Sequence, residues 1–266
     1  AIRNQATAGA EATRNRVHIV VGEEPNAKFP AAGGVAGDLA DTQVSLAAFL
    51  QDDLRVAEGP LSGVGLRAAL RFDWISHDIV DSTPGSAGAA SGTAAYSLWV
   101  PAMALTWAFA PEWLASASWS QGARAPAFLE LTCADPTAPC IGLQAGVAPD
   151  ATFTALRPVR SNAWEAGVAG SPLPGATASA NAFLVDLHDD IYSVSGVTTN
   201  TVYFQNVGTT RRQGLELALR VRRGMVDLAG SYAWTVATFR NDLQLGTPRT
   251  SGVEQVRAGD RLPLVP

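Results

Sequence analysis

The stretch Asn206–Phe239, NVGTTRRQGLELALRVRRGMVDLAGSYAWTVATF, holds two runs of strict alternation joined by a tight turn at Arg222–Gly224. Before the turn Leu215, Leu217, Leu219 and Val221 share one face, while Gly214, Glu216, Ala218 and Arg220 share the other. After it Val226, Leu228, Tyr232, Trp234 and Val236 oppose Asp227, Ala229, Ser231, Ala233 and Thr235. Period two thus persists for about a dozen residues per arm, roughly twice the usual length of a globular strand. One face is apolar, with aromatics towards the end away from the turn; the other mixes charge with very small residues. That division suits a wall with lipid on one side and a wet lumen on the other.

The same pattern recurs upstream. Strands are expected at Arg14–Val21, Gln43–Ala57, Gly63–Asp78, Tyr96–Ala110, Trp113–Gly122, Ser161–Gly170 and Ala176–Tyr192. Leu66, Ala68, Leu70, Phe72 and Trp74 oppose Arg67, Arg71 and Asp73. Met103, Leu105, Trp107 and Phe109 form another apolar row, and Trp113 and Trp119 continue it beyond the turn at Pro111, as an interfacial girdle would. In Ala176–Tyr192 the bulky row is Phe183, Val185, Leu187 and Ile191, which predicts Phe183 on the lipid side. Connections alternate long and short, the longest running from Ala123 to Val159. A membrane barrel segregates loop length in this way, whereas a soluble barrel or sandwich has no reason to. The expected fold is an all-β antiparallel transmembrane β-barrel, represented by about nine or ten strands in one unclosed sheet.

Composition agrees. The chain has 266 residues, a formal net charge of -5 and 16% charged residues, which gives no broad basic surface for nucleic acid. Mean hydropathy is +0.09, yet no apolar run approaches the roughly 18 residues of a spanning helix. The first fifteen residues, AIRNQATAGAEATRN, lack the apolar core of a signal peptide, and the last five, LPLVP, stop where a further strand is expected. Residues 1–266 are therefore read as part of a longer barrel domain. Neither a Gly-x-Ser-x-Gly elbow nor a phosphate-binding Gly-rich loop occurs, so no enzymatic activity and no cofactor are expected.

Ser118–Leu131, SWSQGARAPAFLEL, resembles a barrel segment of TonB-dependent outer-membrane receptors, in which an aromatic strand end runs into a Gly-x-Arg-Ala-Pro turn and a Glu-Leu pair. Leu156–Ser161 with Trp164–Gly167, then Asp186, Asp189–Ile191, Asn206–Gly208 and Gln213–Glu216 continue that likeness in order. The resemblance covers about Gln43 to Phe239. It implies a roughly 22-stranded barrel around an N-terminal plug, placed in the outer membrane of a Gram-negative bacterium. It further implies uptake of a scarce nutrient such as an iron–siderophore complex, with energy from an inner-membrane TonB complex engaged through an N-terminal region that these residues do not include. The plug and the closing C-terminal strands are likewise outside the sequence read here. A passive pore or surface-binding barrel without energy coupling is the alternative. Partners on this reading are the TonB complex, an extracellular nutrient complex and outer-membrane lipid.

Candidate residues follow from placement. Cys133 and Cys140, in CADPTAPC, sit in the longest outer loop; a disulfide is expected there, against free thiols or a metal site that lacks any nearby His. Arg67, Arg71, Glu165, Glu216 and Arg220 are expected on the lumen face, where the resemblance places a plug. Asp186, His188, Asp189 and Asp190 invite a metal or acid–base reading, but alternation divides them between faces, and pairing with arginines of adjacent strands is expected. Arg211 and Arg212 read as rim or lumen charge. Ligand contacts are expected from the long loops at 123–159, 195–203 and 240–259.

Overall fold

The computed structural model describes residues 1–22, 35–86, 88–141, 152–196, 201–247 and 252–263. Parts of the expected loops, at 23–34, 142–151, 197–200 and 248–251, and the end at 264–266 lie outside the described residues. In chain order the strands are β1 (Ile2–Gly22), β2 (Val35–Val56), β3 (Val64–Asp81), β4 (Gly92–Ala110), β5 (Trp113–Arg124), β6 (Cys140–Ile141), β7 (Val159–Gly170), β8 (Ala176–His188), β9 (Ile191–Ser195), β10 (Thr201–Asn206), β11 (Thr209–Arg223), β12 (Val226–Phe239), β13 (Leu243–Thr247) and β14 (Gly252–Val256). Among the described residues one short helix, α1 (Phe128–Thr132), precedes β6. Nine strands form one antiparallel sheet in the order β1, β2, β3, β4, β5, β7, β8, β11, β12, with β1 and β12 at its two open ends. No described helix is long and apolar enough to cross a membrane.

Several boundaries differ from the sequence reading: β2 begins at Val35 and not at Gln43, β3 runs on to Asp81, β4 begins at Gly92, and two further differences have a clear cause. Strand β1 starts at Ile2, well before Arg14, because Ala6, Ala8, Ala10 and Ala12 carry the apolar row and alanine gives alternation too little contrast to read. The expected strand Ala176–Tyr192 is two strands: Asp189 adopts φ 55, and the chain resumes as β9 in a separate sheet with β10 and β6. The short turns at 57–63, 111–112, 171–175 and 224–225 stay short, Gly175 (φ 79) and Gly224 (φ 58) supplying the left-handed backbone in two of them.

Directly paired residues share a face, so the register sorts the side chains. Trp107 pairs with Ala115, Ala115 with Val168, Val168 with Ala180 and Ala180 with Leu217, which places Trp107 and Leu217 on one face, as expected. Leu219 and Leu228 join them through Gly230 and Val221. Ser118, Glu165, Phe183 and Gly214 are paired in turn on the opposite face, together with Glu216 and Arg220. Phe183 is thus on the polar face, contrary to the expectation from its bulk. A Cβ on Gly214 would come 2.8 Å from its ring, so the ring occupies the space left by the missing side chain. The apolar face of β8 is instead the row Ala176, Ala178, Ala180, Ala182 and Leu184.

Aromatic side chains set the sheet's tilt. Trp107, Phe109 and Trp113 cluster beside the short turn between β4 and β5. Phe72 and Trp99 pack as a tilted pair with centroids 4.7 Å apart nearer the long loops, and Trp119 and Trp164 lie 6.0 Å apart. The row through Met103 runs by successive pairing through Trp119, Trp164, Leu184 and Gln213 to Val236. Trp99 lies four residues to the long-loop side of Met103, and Trp234 two residues to the turn side of Val236. If one level joins Trp99 and Trp234, the strands shift about 20 Å over five spacings totalling about 24 Å, a tilt of about 40°. Barrel strands tilt by about 35–45°. On β4 the eight residue steps from Trp99 to Trp107 then span about 21 Å of thickness, close to the apolar band of about 25 Å.

The buried core lies at the long-loop end of the polar face. Leu39, Ile79, Ala94, Tyr96 and Leu98 project from the same side as Arg67 and Arg71 and are covered by Phe128, Leu131, Cys133 and Cys140. A second cluster, Val207, Ala237, Phe239 and Leu262, is covered by Tyr192, Leu243, Leu245 and Val256. The polar face is polar only over its lower part; above that level it turns apolar because the loops fold back onto it.

Candidate functional site

The lower part of the polar face is a ladder of ion pairs. Arg67 Nε donates to Asp53 Oδ1 at 2.6 Å, and Gln51 adds a donor to the same carboxylate at 2.7 Å. Arg71 reaches both Asp73 on its own strand and Glu11 on β1, at 2.8 and 2.9 Å. Arg220 clamps Asp227 with bonds of 2.9 and 2.6 Å, and Arg222 donates to the same carboxylate. These groups are water-accessible, so solvent screens the pairs and each adds little to stability. The expected arginines are therefore neutralised within the sheet. Glu165 and Glu216 are different: neither has an ion pair among the described residues. Glu165 stands between Ser118 and Phe183, and Glu216 between Asn181 and Ala233.

Above the ladder, the connection after β5 forms a cap. Arg124 grips Glu130 through two bonds of 2.7 and 3.0 Å, and Glu130 Oε2 also accepts the Ala127 amide at 2.7 Å. One carboxylate thus starts α1 and ties it to the end of β5, which gives the Arg-Ala-Pro…Glu spacing a mechanical meaning. Cys133 and Cys140 are joined by a disulfide with Cα atoms 5.6 Å apart, and both are buried. The Phe204 amide donates to the Cys133 carbonyl at 2.7 Å, while Tyr96 Oη donates to Leu156 O at 3.1 Å. Asp135 closes the turn: its Oδ1 accepts the Thr137 hydroxyl and amide at 2.6 and 2.7 Å, and Oδ2 accepts the Thr152 hydroxyl at 2.6 Å. Those donors, the Thr137 hydroxyl foremost, hold the carboxyl down to about 2.

The acidic cluster near β8 is resolved into separate pairs. Asp186 lies on the apolar face beyond the aromatic level and accepts two bonds of 2.7 Å from Arg211. Asp189 pairs with Arg157 at 2.9 Å and Asp190 with Arg212 at 3.4 Å. No three His, Cys, Asp or Glu side chains converge as metal ligands among the described residues. The sequence reading named Asn206 only within the family likeness and missed its role: its side chain bonds Arg157 N and O at 3.0 Å each and Asp189 O at 2.7 Å, pinning two connections together. It also missed a buried contact between His77 and Asp41 beneath the cap. Only the period-two placement of His77 with Arg71 and Asp73 pointed to its face.

Solved structures share this fold. The siderophore receptor PiuA from Acinetobacter baumannii aligns over 95% of this chain and 38% of its own, with 14% identity and a TM-score of 0.65. The ferric citrate transporter FecA in its unliganded form aligns over 90% and 33%, with 18% identity and a TM-score of 0.65. The copper transporter OprC aligns over 88% and 35%, with 18% identity and a TM-score of 0.64. The chain therefore spans about a third of the length of these structures, and at such identities they show the fold. A family profile described as TonB dependent receptor-like, beta-barrel matches residues 4–266, so with its open antiparallel sheet, two aromatic levels and loop-end cap the chain belongs to that β-barrel family.

Proposed function

We propose that the chain forms part of the wall of an outer-membrane receptor that takes up a scarce nutrient, such as an iron–siderophore complex, with energy from a TonB complex. The observation that carries this reading is the charge on the polar face. Arg67, Arg71 and Arg220 are neutralised in the sheet, whereas Glu165 and Glu216 present carboxylates with no ionic partner there. Around β7 and β11 this locally acidic stretch, away from the unpaired Arg3 and Arg55 of β1 and β2 on the same face, fits a cationic surface of a plug packed inside the barrel, which an open pore would not need. The related structures include iron, ferric citrate and copper transporters and a siderophore receptor, which supports a scarce metal complex as cargo. The long-loop cap with its Cys133–Cys140 bond is the proposed outer wall of the ligand site.

The test is uptake of radiolabelled ferric siderophores by cells making the full-length receptor, with and without a functional TonB complex. Uptake that vanishes without TonB supports the reading. Uptake that continues unchanged replaces it with a passive pore. Glu165→Gln with Glu216→Gln should lower TonB-dependent uptake while the amount of folded receptor in the membrane stays constant.

A further inference from the structure

The apolar face of β1 changes character along its length. Ala6, Ala8, Ala10 and Ala12 are followed on the same face by Arg14 and Arg16. Both arginines are exposed, and neither has a hydrogen bond or ion pair among the described residues. Their neighbours on β2 cannot supply one: Arg14 pairs with Val44 and Arg16 with Thr42. Of the nearby carboxylates, Asp38 is taken by His18 at 2.6 Å, and Asp78 stands beyond Thr42, about 10 Å of sheet away from Arg16. By contrast Arg211, on the same face of β11, is fully engaged by Asp186.

The tilt places these two residues relative to the membrane. Trp99 pairs with Phe72, Phe72 with Ala48 and Ala48 with Ala10, three strand spacings from β4 to β1. At a tilt of about 40° the Trp99 level rises by about 12 Å over that distance, which is three to four residues along β1. It therefore meets the strand at Arg14, with Arg16 about 5 Å further out. Aromatic belts mark the headgroup level of a bilayer. Two guanidinium groups at that level, about 7 Å apart along the strand and unpaired on the β2 side, the other edge of β1 carrying no strand in this sheet, face lipid headgroups and not the lumen. Guanidinium binds phosphate through paired, charge-assisted N–H bonds.

We propose that Arg14 and Arg16 form a binding site for the phosphate of a membrane lipid in the leaflet on the long-loop side. The lipid's acyl chains lie along the shallow row Ala6–Ala12, beside Leu46 and Leu50 of β2. The site rests on the membrane placement of the apolar face and is independent of the cargo.

The experiment uses the full-length receptor in phosphatidylcholine nanodiscs containing a small fraction of bisphosphorylated lipid A, with retained lipid counted by native mass spectrometry after detergent extraction. The wild-type protein should retain the phosphorylated lipid at least tenfold better than the same lipid with its phosphates removed. Arg14→Gln with Arg16→Gln should abolish that preference, whereas Arg14→Lys with Arg16→Lys should keep part of it and Arg3→Gln, on the other face, all of it. Heat-modifiable gel mobility reports folding in each case. Equal retention by the Gln variant overturns the site. So does displacement of the lipid by millimolar inorganic phosphate, which would mark an anion site without lipid specificity. A loss of barrel stability with unchanged lipid retention would assign the arginines to an ion pair with a neighbouring strand and overturn it as well.

Discussion

His77 Nδ1 lies 2.8 Å from Asp41 Oδ2, between adjacent strands β3 and β2, and both side chains are no more than 4% exposed. The contact uses His77 Nδ1 and Asp41 Oδ2 and leaves His77 Nε2 and Asp41 Oδ1 buried without a hydrogen-bond partner. The pair sits on the polar face at the level of Ile79 and Ala94, where the cap excludes water. Removing one partner leaves the other buried and unpaired. His77→Ala or Asp41→Ala should each cost about 3–5 kcal/mol in urea unfolding of the receptor. Replacing both by leucine should cost less than either single change, and an additive loss would show that the two residues act separately.

Leu219 and Ala218 test the two faces one residue apart. Leu219 lies below the aromatic level on the apolar face, and Ala218 opposite Ser231 on the polar one. Leu219→Arg should cost about 2–4 kcal/mol in folding into lipid vesicles, while Ala218→Arg stays within about 1 kcal/mol. Equal costs would mean that both faces meet the same medium.

Gly214 should tolerate no side chain. A Cβ there meets the Trp234 carbonyl and the Phe183 ring together. Gly214→Ala is expected to destabilise by about 1–3 kcal/mol. Phe183→Ala should not rescue it, because the backbone contact remains; assembly assayed by gel mobility distinguishes the variants.

The Asp135 turn makes the cap sensitive to acid. Its carboxyl titrates at about 2 in the folded cap, against about 3.9 in an unfolded chain. Its stabilisation is therefore complete above about pH 4 and is lost as pH falls through about 2. Pepsin should cleave the cap increasingly between those values, and Asp135→Asn should flatten that dependence. A cap equally resistant at both ends of the range would exclude this turn as its acid-labile fastening.

Strands such as β11 and β12 were legible because large apolar residues alternate with charged or small ones over most of their length, Gly230 being the break in the β12 row, and the face of Leu217 follows from period two alone. Phe183 was misplaced because the decisive partner, Gly214, lies on another strand and becomes a neighbour only once the register is known. The early half of β1 was hidden by its alanines. Cys133 and Cys140 are the chain's two cysteines and lie close in sequence, so their pairing was readable. The inward fold of the cap was not: it depends on Leu39, Ile79 and Tyr96, each assigned to the polar face by a neighbour's position and not by its own chemistry.

The nine-stranded sheet is a meander. Each of its strands pairs only with the sheet strands before and after it along the chain, the loop excursions of β6, β9 and β10 being set aside. Such a wall grows by whole hairpins. Adding or losing one changes the circumference by about 10 Å of sheet width and leaves every other register as it was. An odd number of strands would send turns to the side of the long connections. Duplication in pairs is thus a route by which this architecture can acquire a wider or narrower bore without inventing a new chain path, and the caps at the long-loop end can diverge independently of that count.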